Sequence, residues 1–239
     1  MRGHGMNMEV QWLGCRALGL LHQILPAAVQ TPPEALEGVL AAMKRHPSWY
    51  KVTSAACAAL RGFLEPRQGR DSAAASAVTG QMVTVLRRQG MGATLQRMFS
   101  DWSDSSDKEL LEDSFYALGL VEGLPAILQV LAAGEHLANV ALRSAALQAM
   151  FELIRTFPDL LTTPQLAQNI YAVANTIVAR TDEADKAAAA GKDAGDNTFS
   201  YKQGGELHGF ASVEGAEIAR RAELLIGMLQ GAIAAPAAG

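Results

Sequence analysis

Only two cysteines occur in the 239 residues, too few for a disulfide framework. Cys15 and Cys57 therefore read as small buried apolar thiols in a reducing compartment. Aromatic residues make up 6% of the chain. Runs rich in β-branched or aromatic residues are scarce, so no strand is expected. No apolar run reaches the ~20 residues of a membrane span. The N-terminal stretch, interrupted by Gln11 and Arg16, makes a poor signal peptide; a transit peptide stays open, the first acidic residue being Glu9. Charged residues are only 18% and the net charge is −4, which removes bulk attraction to nucleic acid as a function.

The usual signs of chemistry are also missing. His4, His22, His46, His136 and His208 are scattered, and none stands in zinc-type spacing with cysteine or carboxylate. His46, before Pro47, reads as a helix C-terminal residue. Gly90 and Gly92 lack the strand–helix context of a phosphate loop. Asp193, Asp196 and Asn197 lack the spacing and closing glutamate of a calcium loop. Trp12, Trp49 and Trp102 read as core or interface anchors. No catalytic residue, metal or cofactor is expected.

Alanine and leucine dominate instead, both strong helix formers. Two stretches repeat one theme 42 residues apart: Val10-Gln11 through Gly14-Cys15 to Ala17-Leu18, and Val52 through Ala56-Cys57 to Ala59-Leu60. A period of this length marks a stacked helical repeat. Phe115 and Leu147 take the cysteine place in two weaker copies, at spacings of 58 and 32 residues. The array is thus irregular, with an insertion near 65–90.

Periodicity predicts helices over 8–25 (stripe Val10, Leu13, Ala17, Leu18, Leu21, Leu25), 34–45 and 49–64 with Ser48 as N-cap. Further helices are expected over 73–89, 93–102, 107–122 behind a Ser106/Glu109 capping box, 124–133 and 138–157. Another opens at Thr163-Pro164 and runs to about Arg180, and a last spans 213–234. Three regions result: a repeat domain over 1–181, a flexible Ala/Gly/Asp-rich loop over 182–206, and a C-terminal packing helix with its tail over 207–239.

At the repeated residues the chain resembles the armadillo family, whose third helix carries Val-Gln, then Gly or Ala, Cys, a variable residue, Ala and Leu. The match covers about 8–155 and is best in the first two copies. HEAT-type repeats share the period and the stacking, so the two stay alternatives. The resemblance implies an all-α, right-handed α-solenoid of irregular armadillo-like repeats. Gly14, Ala56 and Ala146 would let neighbouring helices approach; Leu18, Leu60, Leu118 and Met150 would fill the core. The first third helix stands only a few residues after Met1, so its open end is expected either to meet a partner or to continue in a longer chain.

In this family a partner lies along a concave ladder of third helices. By register the ladder positions are Arg16 and Leu20, Ala58 and Gly62, Tyr116 and Leu120, Gln148 and Glu152. None carries the Trp/Asn pair of nuclear-import armadillo proteins, which argues against a receptor for basic localisation peptides. The groove left is small-sided and suits a helix or an extended loop of a protein partner. The expected function is a non-catalytic scaffold in a larger cytoplasmic complex, with neither nucleic acid nor membrane as partner. Ciliary or cytoskeletal assemblies such as the axoneme are the setting that the resemblance implies. The alternative is a transient regulatory subunit or assembly chaperone, switched by phosphorylation in the Ser/Asp segment 100–107. Residues 1–70 hold eight basic and four acidic residues, a balance of +4; the remainder holds twelve and twenty, or −8. The basic end would suit an acidic partner, but charge that simply varies from one solvated face to another is the preferred reading of this asymmetry.

Overall fold

The computed structural model describes residues 2–24, 32–65, 72–101, 107–133, 139–193 and 204–234. Within them the chain forms ten α-helices and two short 3-10 turns, and no strand. The helices are α1 (Met8–Ile24), α2 (Pro33–Arg45), α3 (Tyr50–Leu64), α4 (Ser72–Arg88), α5 (Met91–Asp101), α6 (Lys108–Glu122), α7 (Leu124–Ala132), α8 (Val140–Thr156), α9 (Pro164–Asp193) and α10 (Gly204–Ala234). The all-α expectation holds, and most boundaries fall within two residues of those read from periodicity.

The ends of the helices follow from local chemistry. The Asp107 carboxylate accepts a hydrogen bond from Leu110 N at 3.0 Å, and Asn139 Oδ1 accepts one from Leu142 N at 3.1 Å. Thr163 Oγ1 accepts from Leu166 N, as expected, and Pro164 follows at a position where its missing N–H costs nothing. Gly90 (φ 69°) and Gly123 (φ 89°) turn the chain between α4 and α5 and between α6 and α7, in a left-handed conformation that a side chain disfavours.

Three details differ from the sequence reading. The residue before α3 is Trp49, with no side-chain cap, in place of Ser48. Asp107 caps α6, and the expected cap Ser106 lies outside the described residues. The α9 backbone stays helical to Asp193, and α10 begins at Gly204, so helix enters both ends of the segment expected to be a loop. The alanine run at 187–190 explains the first extension, because alanine favours helix wherever nothing breaks it.

The four helices bearing the repeated theme are neighbours in space. Helix α1 packs on α3, α3 on α6, α6 on α8, and α8 on α10, which pairs with α9. Helix α2 lies against α1 and α3, α4 and α5 against α6, and α7 against α6 and α8. Along the first joint Lys51 reaches the Trp12 ring, Ala59 meets Gly19, and Phe63 meets the His22 ring edge-on at 5.2 Å. The contacts advance together, so α1 and α3 run in the same direction. A Cβ on Gly19 would lie 3.3 Å from the Ala59 Cα, which is why a glycine stands there.

One continuous apolar core joins these helices. Leu60, Leu118 and Met150 are fully buried within it, and Phe99 stacks on Phe115 at 4.2 Å. Each fully buried side chain of this size contributes roughly 1.5–3 kcal/mol. Cys15 and Cys57 are buried free thiols. Burial pushes both thiols up to about 12, so neither forms a thiolate near neutral pH.

Candidate protein-binding face

The face to test is the side of α1, α3, α6 and α8 that carries the eight ladder positions. On α1, Arg16 and Leu20 are exposed. On α3, Ala58 is exposed and Gly62 half-buried; a Cβ on Gly62 would meet nothing within 4 Å. Lys51 is exposed on the same helix, with Ser54 and Ala55 half-buried. Together α1 and α3 offer a shallow, small-sided strip with Leu20 and Arg16 on its border.

The α6 positions are different. Tyr116 is 1% exposed and Leu120 5% exposed, so neither is free surface. Packing against helices on several sides buries ten of the residues of α6. Tyr116 is covered by Arg61, whose guanidinium lies 5.1 Å from the ring centroid. On α8, Gln148 and Glu152 are half-buried, and the Gln148 amide donates to Glu152 at 2.6 Å.

Arg61 organises this part of the face, and the sequence reading missed it. Its Nε donates to Glu65 at 2.8 Å, one turn along α3. Its Nη1 donates to Asp113 of α6 at 3.1 Å, and its Nη2 to Glu152 of α8 at 2.5 Å. One side chain thus ties three successive helices of the row. The Arg61–Glu65 spacing of four was visible in the sequence. Asp113 and Glu152, 52 and 91 residues away, carried no local signal.

The charges within the cluster do not balance: one guanidinium faces three carboxylates. Burial pushes the Asp113 carboxyl up to about 6, against the opposing pull of Arg61. For Arg61, burial disfavours the charge, but the hydrogen bond to Glu65 and the charges of Glu152, Glu65 and Asp113 outweigh it and hold the guanidinium protonated. Tyr116 is held neutral, chiefly by burial. A second bridge lies further along the row, where Arg221 of α10 donates to Glu112 of α6 at 2.7 Å and to Glu217 at 2.7 Å. The face is therefore basic at its α1 end, with Arg16 and Lys51, and acid-rich toward α6 and α8.

Among the described residues no group of three or more His, Cys, Asp or Glu side chains is placed to hold a metal ion. His46 sits at the end of α2, as expected, and its Nε2 lies 2.9 Å from the Gly5 carbonyl. Trp12 and Trp49 are half-buried against the core, whereas Trp102 and the centre of the Ser/Asp segment lie outside the described residues. No described helix is long and apolar enough to cross a membrane.

Among the described residues the chain is all-helical, and the helices that carry the repeated sequence theme pack side by side. No family model, curated protein or solved structure matches the chain.

Proposed function

We propose that the chain is a non-catalytic scaffold: a right-handed α-solenoid of irregular armadillo- or HEAT-like repeats that holds a helix or extended loop of another protein. The observation that carries this reading is the order of packing. The helices with the shared theme lie side by side, although 17 to 43 residues separate their ends in the chain. That is how stacked repeats bury their stripes. The open strip at Ala58 and Gly62, between Arg16/Leu20 and Gln148/Glu152, is where a partner backbone can come close. Tyr116 and Leu120 act from beneath, as the floor of the groove. The charge gradient along the face sets the direction of the bound segment, acidic residues toward α1 and basic ones toward α8. The setting we assign is a large cytoplasmic assembly, with a ciliary axoneme as the leading example.

The test is co-purification of the tagged protein from its native cells, before and after a high-salt wash. Ala58→Arg and Gly62→Arg fill the strip from positions with open space, so the fold is expected to survive; circular dichroism checks that. A salt-resistant set of partners that both variants lose is the expected result. The same partners retained by two folded variants would overturn the groove reading.

A further inference from the structure

The Arg61 cluster holds acceptors that the described chain leaves unused. Arg61 bonds one oxygen of each surrounding carboxylate: Glu65 Oε1, Asp113 Oδ1 and Glu152 Oε2. Gln148 donates to the other Glu152 oxygen. The second oxygens of Glu65 and Asp113 accept no hydrogen bond from the described residues. Arg155 also acts on this region. Its guanidinium lies over the Phe151 ring, 5.6 Å from the centroid, and pairs with none of the three carboxylates.

A separate observation points to the same place. Tyr116 is 1% exposed, yet its hydroxyl makes no hydrogen bond among the described residues. A hydroxyl stripped of water normally finds a partner. This one lies within the cluster: after burial, the charges of Glu65, Arg61 and Glu152 act on it. The cluster is also reachable from the open strip. The Glu65 side chain is 46% exposed, the most open of the three carboxylates. Gly62 stands three residues earlier, on the same side of α3, and a Cβ there would meet nothing. A backbone passing over Gly62 lies about one helical turn, ~5 Å, from Glu65, within reach of a long side chain.

Building on the groove reading, we infer that this cluster anchors one cationic side chain, a lysine or arginine, of the protein segment held there. The charges select a cation. One guanidinium against three carboxylates leaves a balance of −2 in a partly desolvated place, and a second cation relieves it. The surroundings select a side chain over a metal ion. Arg61 reaches all three carboxylates and repels a divalent ion, and among the described residues no carboxylate group is placed to hold one. An ammonium or guanidinium instead donates N–H groups to the free oxygens of Glu65 and Asp113 and to the Tyr116 hydroxyl, which accepts as well as donates. The site takes one cation and not a basic run, because Arg16 and Lys51 make the α1 end of the face positive.

Nuclear magnetic resonance of the full chain tests the site without the partner. The probes are N-acetyl-lysine methylamide, its arginine analogue and the neutral norleucine analogue. The expected result is a saturable shift of the Glu65, Asp113 and Tyr116 amide signals with the cationic probes, in the millimolar range, and none with norleucine. The tighter of the two cations identifies the anchored side chain. Glu65→Gln, at an exposed position, weakens binding by at least about fivefold. Tyr116→Phe removes only the hydroxyl and weakens it by about twofold or more. No saturable shift with either cation, or equal shifts with norleucine, overturns the proposal. Cation binding unchanged in both variants overturns its placement. The co-purification separates the two readings. Partners lost on Gly62→Arg but kept by Glu65→Gln and Tyr116→Phe overturn the anchor and leave the groove standing. Partners kept by a folded Gly62→Arg overturn the groove, whatever the probes do.

Discussion

Arg61 shows how much one side chain can decide. It is 23% exposed, so its ion pairs are neither fully screened nor fully desolvated. Removing one partner of a buried pair costs about 3–5 kcal/mol, whereas an exposed pair is worth under about 1. Between these limits, Arg61→Met is expected to cost about 2–3 kcal/mol, because Asp113 and Glu152 lose their shared cation. Arg61→Lys should recover less than half of that, since an ammonium lacks the fork that reaches three carboxylates. Urea unfolding of the three proteins checks both values. Asp113 adds a pH signature. Its folded value of about 6 lies above the ordinary 3.8, so the folded state binds its proton more tightly. The stability that Asp113 contributes is therefore full below about pH 4 and is lost as pH rises through 6. Asp113→Asn should flatten this component. The stability of the variant relative to wild type should rise between pH 4 and 7, measured by urea unfolding across that range. No such rise would show that Arg61 offsets the burial of Asp113.

Among the helices, glycines separate close packing from open surface. A Cβ on Gly119 of α6 would lie 2.3 Å from Leu153 Cδ1 and 3.0 Å from Ile127 Cδ1, whereas one on Gly62 of α3 meets nothing. Gly119→Ala is expected to destabilise by about 1–3 kcal/mol through overpacking. Gly62→Ala should stabilise by up to about 1 kcal/mol through helix propensity alone. Thermal unfolding of the two variants checks the opposite signs. Helix α1 teaches the complementary lesson. Its periodicity correctly marked a helix with a stripe at Val10, Leu13, Ala17 and Leu21, yet Leu13, Ala17 and Leu21 face solvent. The buried side carries Gln11, Cys15 and His22, two of them polar. Gln11 Nε2 donates to the His4 carbonyl at 3.0 Å, which lets an amide lie inside. Periodicity reports that an apolar face exists, not which neighbour covers it.

For the whole molecule, the row of helices implies graded local stability. Helix α6 is surrounded by α3, α4, α5, α7 and α8, while among the described helices α1 packs mainly on α2 and α3. In stacked helices each member depends on its nearest neighbours, so opening should begin at the ends of the row. Hydrogen exchange is expected to be slowest in α6 and α8 and faster by an order of magnitude or more in α1 and α2. Uniform exchange would mean that the core opens only as one unit.

Taken alone, the sequence determined the helices, because alanine, leucine and the breaks at proline and glycine act within one or two turns. The 42-residue echo around Cys15 and Cys57 likewise pointed to two related helices, and both thiols are buried as the sequence reading expected. Only the tertiary structure decided what each ladder position became. Tyr116 and Leu120 were closed off because α6 lies at the centre of the row, whereas Ala58 and Gly62 stayed open on a less enclosed helix. Arg61, Asp113 and Glu152 met because their helices stack, and Leu13, Leu20 and Ile24 stayed exposed because α1 packs on α3 with its other side. Helix formation depends on residues a few positions apart, whereas burial and ion pairing depend on which distant segment lies alongside.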